Sequence, residues 1–139
     1  MSDERQDALT WLGFALGDLS AARSQSGRRV RPRIVAFHAQ QAAEKAIKAA
    51  LVLSDITPAR SHDLEELRNA LPDGWRVKRR PVHLTRLSGY GVAIRYPDDV
   101  TPITPLQSGT AVRQAMAVVR IIREDFERRG ISTAGLEPR

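Results

Sequence analysis

The sequence predicts an all-α protein, an up-and-down bundle of four long helices and one short helix. Two observations carry that expectation. Apolar residues recur at alternating steps of four and three along most of the chain, and the segments that carry this rhythm are bounded by residues that start or stop helices. Strand signals are nearly absent.

The first helix is expected over residues 4–24, where Ala8, Leu12, Ala15, Leu19 and Ala22 form one stripe and Trp11 and Leu16 widen it. Residues 24–33 (SQSGRRVRPR) read as a basic turn. The second helix is expected over 32–53. Val35, Ala36, Ala39, Ala42, Ala43, Ala46, Ile47, Ala49 and Ala50 make a broad face of small residues that lets neighbours approach closely. The opposite face mixes Ile34 and Phe37 with His38, Gln41, Glu44, Lys45 and Lys48, an unusual composition for a solvated surface.

A connector at 55–60 leads to Ser61, an expected N-cap for a short helix over 62–71 whose inner face is Leu64, Leu67 and Leu71. Asp63, Glu65 and Glu66 then sit where the helix dipole favours negative charge. Pro72-Asp73-Gly74 ends it, and Arg76–Arg80 reads as a second basic loop. Pro81 suits a first helical position, so a fourth helix is expected over 82–95, with Leu84, Leu87, Gly91 and Ile94 inward and Pro97 as its stop. After a proline-containing loop at 98–107, a last helix over 108–129 buries Ala111, Ala115, Val118, Val119, Ile122 and Phe126 and ends at Gly130. Residues 1–130 thus form one domain, and 131–139 are expected as a flexible tail.

Composition narrows the chemistry. Lys+Arg number 22 against 16 Asp+Glu, net +6, and Lys45, Lys48 and Lys78 are the only lysines. Guanidinium forks suit phosphate and carboxylate, so anionic partners such as nucleotides or RNA are favoured. There is no cysteine, the three histidines (His38, His62, His83) are far apart, and no HExxH pair occurs, so no metal site and no cofactor are expected. No export signal and no apolar run near membrane length is present, which makes a cytoplasmic protein without membrane contact the expectation.

Three segments stand together: Phe37-His38-Ala39-Gln40-Gln41-Ala42-Ala43-Glu44-Lys45-Ala46-Ile47-Lys48-Ala49, then Ser61-His62-Asp63-Leu64, then Arg95-Tyr96-Pro97-Asp98. This ordered set resembles the HEPN domain family across about residues 5–128. The resemblance implies a paired helical bundle that partners small nucleotidyltransferases, often in a toxin–antitoxin pair. Some members are ribonucleases that use Arg, four to six residues, then His. In those the motif lies late in the bundle, where Arg95 stands here with no histidine after it. Arg31–His38, Arg33–His38 and Arg76–His83 match the spacing in other places, where an arginine-rich chain produces it by chance.

The candidate residues follow from these readings. A metal-independent ribonuclease needs a base and a cation for the phosphorane, and His38 and Lys45 share a helix stripe that supplies both. The same stripe, with Ile34 and Phe37 beside it, reads more readily as interhelical or dimer-contact hydrogen bonding by His38, Gln41 and Lys45. Ile34, Phe37 and Gln41 are the candidate dimer interface of a homodimer. Arg95, Tyr96, Asp98, His62 and Gln41 are candidate ligand contacts, Arg95 holding a phosphate beside the Tyr96 ring. Against that, Arg95 and Asp98 read as a salt bridge holding a turn, and His62 as a local hydrogen-bonder at a helix start. The leading expectation is a HEPN subunit that binds a small nucleotidyltransferase and an anionic ligand. An endoribonuclease toxin and a structural dimer without ligand are the alternatives.

Overall fold

The computed structural model describes residues 3–26, 30–79, 83–91 and 102–139. In chain order the helices among the described residues are α1 (Asp3–Gln25), α2 (Pro32–Leu53), α3 (Leu64–Asn69), α4 (Thr85–Gly89) and α5 (Pro105–Arg128), with a 3₁₀ turn at Arg76–Lys78. No strand occurs among the described residues.

The small-residue face of α2 is the centre of the molecule. Ala36, Ala39, Ala42, Ala43, Ala46, Ala49 and Ala50 are fully buried, because α1 and α5 both pack on them. The expected stripes of α1 (Ala8, Leu12, Ala15, Leu19, Ala22) and α5 (Ala111, Ala115, Val118, Val119, Ile122, Phe126) are the buried faces that meet α2. Trp11 lies beside Lys48, and Asp18 beside both His38 and Lys45, so α1 and α2 run antiparallel. Trp75 donates its indole N–H to Ser54 just past α2 and packs edge-on against Phe126, which sets the C-terminal ends of α2 and α5 at the same end of the bundle. Burying two such rings contributes about 1.5–3 kcal/mol each. The Arg129 guanidinium covers the outer face of Trp75 at 3.8 Å, and Asp125 accepts from the Arg76 backbone N–H to hold the 3₁₀ turn on α5.

Several boundaries differ from expectation for local reasons. Among the described residues three helices are long: α4 covers Thr85–Gly89, and residues 80–82 and 92–101, which include Pro81, Ile94 and Pro97 of the expected fourth helix, lie outside the described residues. The short third helix is capped by Asp63, not Ser61. The Asp63 carboxylate accepts from the backbone N–H groups of Glu65 and Glu66, whereas the Ser61 hydroxyl turns to Glu66. The basic loop expected at 76–80 is partly the 3₁₀ turn. Helix α5 starts at Pro105, three residues early, because Thr104 and Gln107 form a reciprocal capping box and proline fits the first helical position. At its far end Gly130 adopts φ +77°, and the Ile131 N–H returns to the Phe126 carbonyl, the bonding of a Schellman stop.

Beyond Gly130 the chain is not helical, yet it is laid back along the bundle rather than projecting as the expected loose tail. Ile131 and Thr133 are buried, Glu127 accepts from the backbone N–H and hydroxyl of Thr133, and the Arg139 N–H reaches the Gly13 carbonyl of α1. These hydrogen bonds and the apolar seat of Ile131 are what residue composition alone did not reveal.

Candidate functional site: two carboxylate-held histidines

The polar face of α2 is organised by two carboxylates. The first is Asp18, delivered by α1. One oxygen accepts from His38 Nδ1 at 3.0 Å and the other from Lys45 Nζ at 2.5 Å, joining two residues of one α2 stripe about two turns apart. A carboxylate only accepts, so the His38 proton sits on Nδ1 and Nε2 is left without a protein partner among the described residues. All three groups keep some solvent contact, with side-chain exposures of 30% for His38, 27% for Lys45 and 15% for Asp18.

The second carboxylate is Glu44, on α2 itself. The sequence placed it on the polar face, but its side chain is only 5% exposed, because the segment leading to α3 covers that flank of the helix. It accepts from His62 Nδ1 at 2.8 Å, from Gln40 Nε2 at 3.2 Å and from Lys48 Nζ at 3.1 Å. Lys48, itself mostly buried, also lies 5.8 Å from the centre of the Trp11 ring, within cation–π range.

His62 is held from two sides. Its ring is fixed by Glu44, and its backbone carbonyl accepts from Gln40 Nε2 and from the Ser88 hydroxyl of α4. It precedes α3 rather than sitting in its first turn, and its side chain is 63% exposed, so Nε2 faces solvent. Gly91 closes the back of this cluster. A Cβ there would collide with the Gln40 side-chain amide, so any larger residue must push that amide off Glu44 and the His62 carbonyl. The chain then enters residues 92–101, and the candidates Arg95, Tyr96 and Asp98 lie outside the described residues.

The remaining candidates fall between the two clusters. Gln41, halfway around the exposed arc of α2, donates to the Gln40 side-chain oxygen at 2.7 Å and so belongs to the Glu44 network. Ile34 is half-buried. Phe37 is 39% exposed, with its edge against the His38 ring, and Phe14 of α1 is 43% exposed.

Asp18 and Gln40 escaped sequence reasoning. A signal for Asp18 existed: it is the sole acid between Asp7 and Glu44, and it recurs with Trp11 and Phe14 on one face of α1. No group of three or more potential metal ligands clusters among the described residues. Likewise, no helix among them is long and apolar enough to cross a membrane.

A helical bundle whose second helix sends His38 and Lys45 to an aspartate of α1, and Gln40 and Glu44 to a histidine loop, defines the class of protein. The HEPN domain model matches residues 8–128, and the chain belongs to that family. Among solved structures, the crystal structure of TT1696 from Thermus thermophilus is similar, with a TM-score of 0.69 and 27% identity over 85% of this chain and 97% of that one. No curated protein gives a significant match.

Proposed function

We propose that this HEPN chain is a binding subunit. It pairs with a second copy through the Ile34–Phe37–Gln41 face, engages a small nucleotidyltransferase in a toxin–antitoxin arrangement, and holds an anionic ligand, nucleotide or RNA, beside His62. The observation that carries the ligand reading is the His62 ring: exposed, fixed at Nδ1 by a buried carboxylate, and presenting Nε2 outward. In its imidazolium form this pre-oriented ring donates Nε2–H to a phosphate oxygen with little ordering. The family resemblance is what adds the Arg95 guanidinium, four residues after Gly91 in sequence, to that contact.

Binding is favoured over cleavage because Lys45 and Lys48 are each committed to a carboxylate, and so are weak stabilisers of a developing phosphorane. The second reading, a metal-independent endoribonuclease, draws on the Asp18–His38 pair, which has the arrangement of an oriented general base.

Purified protein titrated with labelled RNA in chelator separates the two. The binding reading expects salt-sensitive association without cleavage. Arg95→Ala and His62→Ala should weaken it, while His38→Ala should alter dimer stability more than affinity. Brisk cleavage abolished by His38→Ala would transfer the site to the Asp18 cluster. Phe37→Glu should yield monomers by light scattering, and an unchanged dimer would remove this face from the contact.

A further inference from the structure

A groove of about 1090 Å³ runs between α1 and α5, on the face of α1 opposite Asp18. Both helices pack on α2 and touch each other far less. The floor is apolar, made by Leu16, Leu19, Met116 and Val119, with Leu136 of the tail at one end. Met116 is 38% exposed although it sits on the floor. From Arg113 to Glu127 the groove follows α5 for about 21 Å, or four helical turns.

Its charges are unevenly committed. Of the two lining carboxylates, Glu124 is paired with Arg76 and Glu127 is held by Thr133. Arg123 is likewise tied to Thr133. Arg113 reaches only the Thr110 hydroxyl, and Arg23 and Arg120 have no ion-pair partner among the described residues. The groove therefore offers three uncommitted guanidiniums above an apolar strip.

We infer that this groove docks an acidic amphipathic helix of a partner protein, about four turns long. Its apolar stripe lies on Leu16, Leu19 and Met116, and its carboxylates meet Arg23, Arg113 and Arg120. Apolar anchors at helical spacing in a groove, with matched charge along the rim, are the requirements of helix-in-groove recognition. Nucleic acid fits less well, since no aromatic ring lines the groove to stack a base. A second copy fits less well too, because each carries net +6 and would bring arginine to arginine. The inference rests on the reading above that the chain has a protein partner, and adds where and through what chemistry that partner binds.

The test uses the full chain and a fluorescein-labelled helical peptide of about 18 residues, with leucines at i, i+3, i+4 and i+7 and glutamates flanking them. Anisotropy should show saturable binding below about 1 mM that weakens with salt. The R113E/R120E double variant and, separately, Met116→Glu should each weaken it about tenfold or more. Arg128→Glu, exposed and outside the groove, should leave it unchanged. A control peptide with lysine for glutamate should not bind. The inference is overturned if the acidic peptide fails to saturate, or if it binds R113E/R120E as well as the parent. It is also overturned if R113E/R120E abolishes binding of a single-stranded RNA of about 12 nucleotides while leaving the peptide untouched. If the peptide fails while Phe37→Glu still dissociates the dimer and His62→Ala still weakens RNA binding, the groove assignment falls and the proposed function stands.

Discussion

The two carboxylates on the polar face of α2 have nearly the same partners and different surroundings. Asp18 and Glu44 each take a histidine Nδ1 and a lysine, yet Glu44 and Lys48 are 5% and 11% exposed while Asp18 and Lys45 are 15% and 27% exposed. Water can replace a lost partner in the Asp18–Lys45 pair and scarcely in the Glu44–Lys48 pair. Burial, more than the list of partners, sets the cost of breaking each cluster.

The largest expected effect follows directly. Glu44→Ala strands the Lys48 ammonium among apolar neighbours and releases His62 and Gln40, and should cost about 3 kcal/mol or more in urea denaturation. A loss below about 1 kcal/mol would mean that Lys48 finds water, and the contrast between the clusters would collapse. Gly91→Ala attacks the same cluster from behind by forcing a methyl into the Gln40 amide. It should cost about 1–3 kcal/mol and disturb the His62 ring, read as a shifted imidazole resonance. On the other side, Asp18→Asn should cost no more than about 1 kcal/mol, because His38 and Lys45 both remain solvated.

The smallest effect is local and concerns the tail. The Thr133 backbone N–H, then its hydroxyl, hold the Glu127 carboxyl below its ordinary range, with Arg123 adding to the effect. A carboxyl depressed in the folded state adds stability above its unfolded value, and that stability is lost as pH falls through the folded one. As pH falls below the usual glutamate value of about 4.3 toward the lower folded one, the Thr133 amide should therefore lose protection relative to its intrinsic exchange rate and residues 131–139 become sensitive to an acid protease. Glu127→Gln should produce the same loosening at neutral pH.

The legible part of the site lay along α2. Phe37, His38, Gln41, Glu44 and Lys45 could be placed on one arc of one helix from spacing alone, and the HEPN resemblance built on them is matched by the family model over residues 8–128. Each histidine's partner was not legible. Asp18 is 20 residues from His38, Glu44 is 18 from His62, and each pair depends on how one element is rotated against another. The start of α5 is a different case, since Thr104-Pro105-Leu106-Gln107 carries the capping-box pattern in plain sequence and the proline content of the loop obscured it.

By itself the sequence determined the helical class, the span of α2, the near-complete spans of α1 and α5, the buried stripes of all three, and the Gly130 stop. These are consequences of a 3.6-residue period and of local backbone chemistry acting over one or two turns. Only the tertiary structure decided which carboxylate holds which histidine, that Glu44 is buried while Asp18 is not, that the tail returns to α1, and that α1 and α5 leave an arginine-rimmed groove between them. Those outcomes depend on the rotation and crossing of whole helices. The side chains that meet there come from different elements, and no local pattern records their meeting.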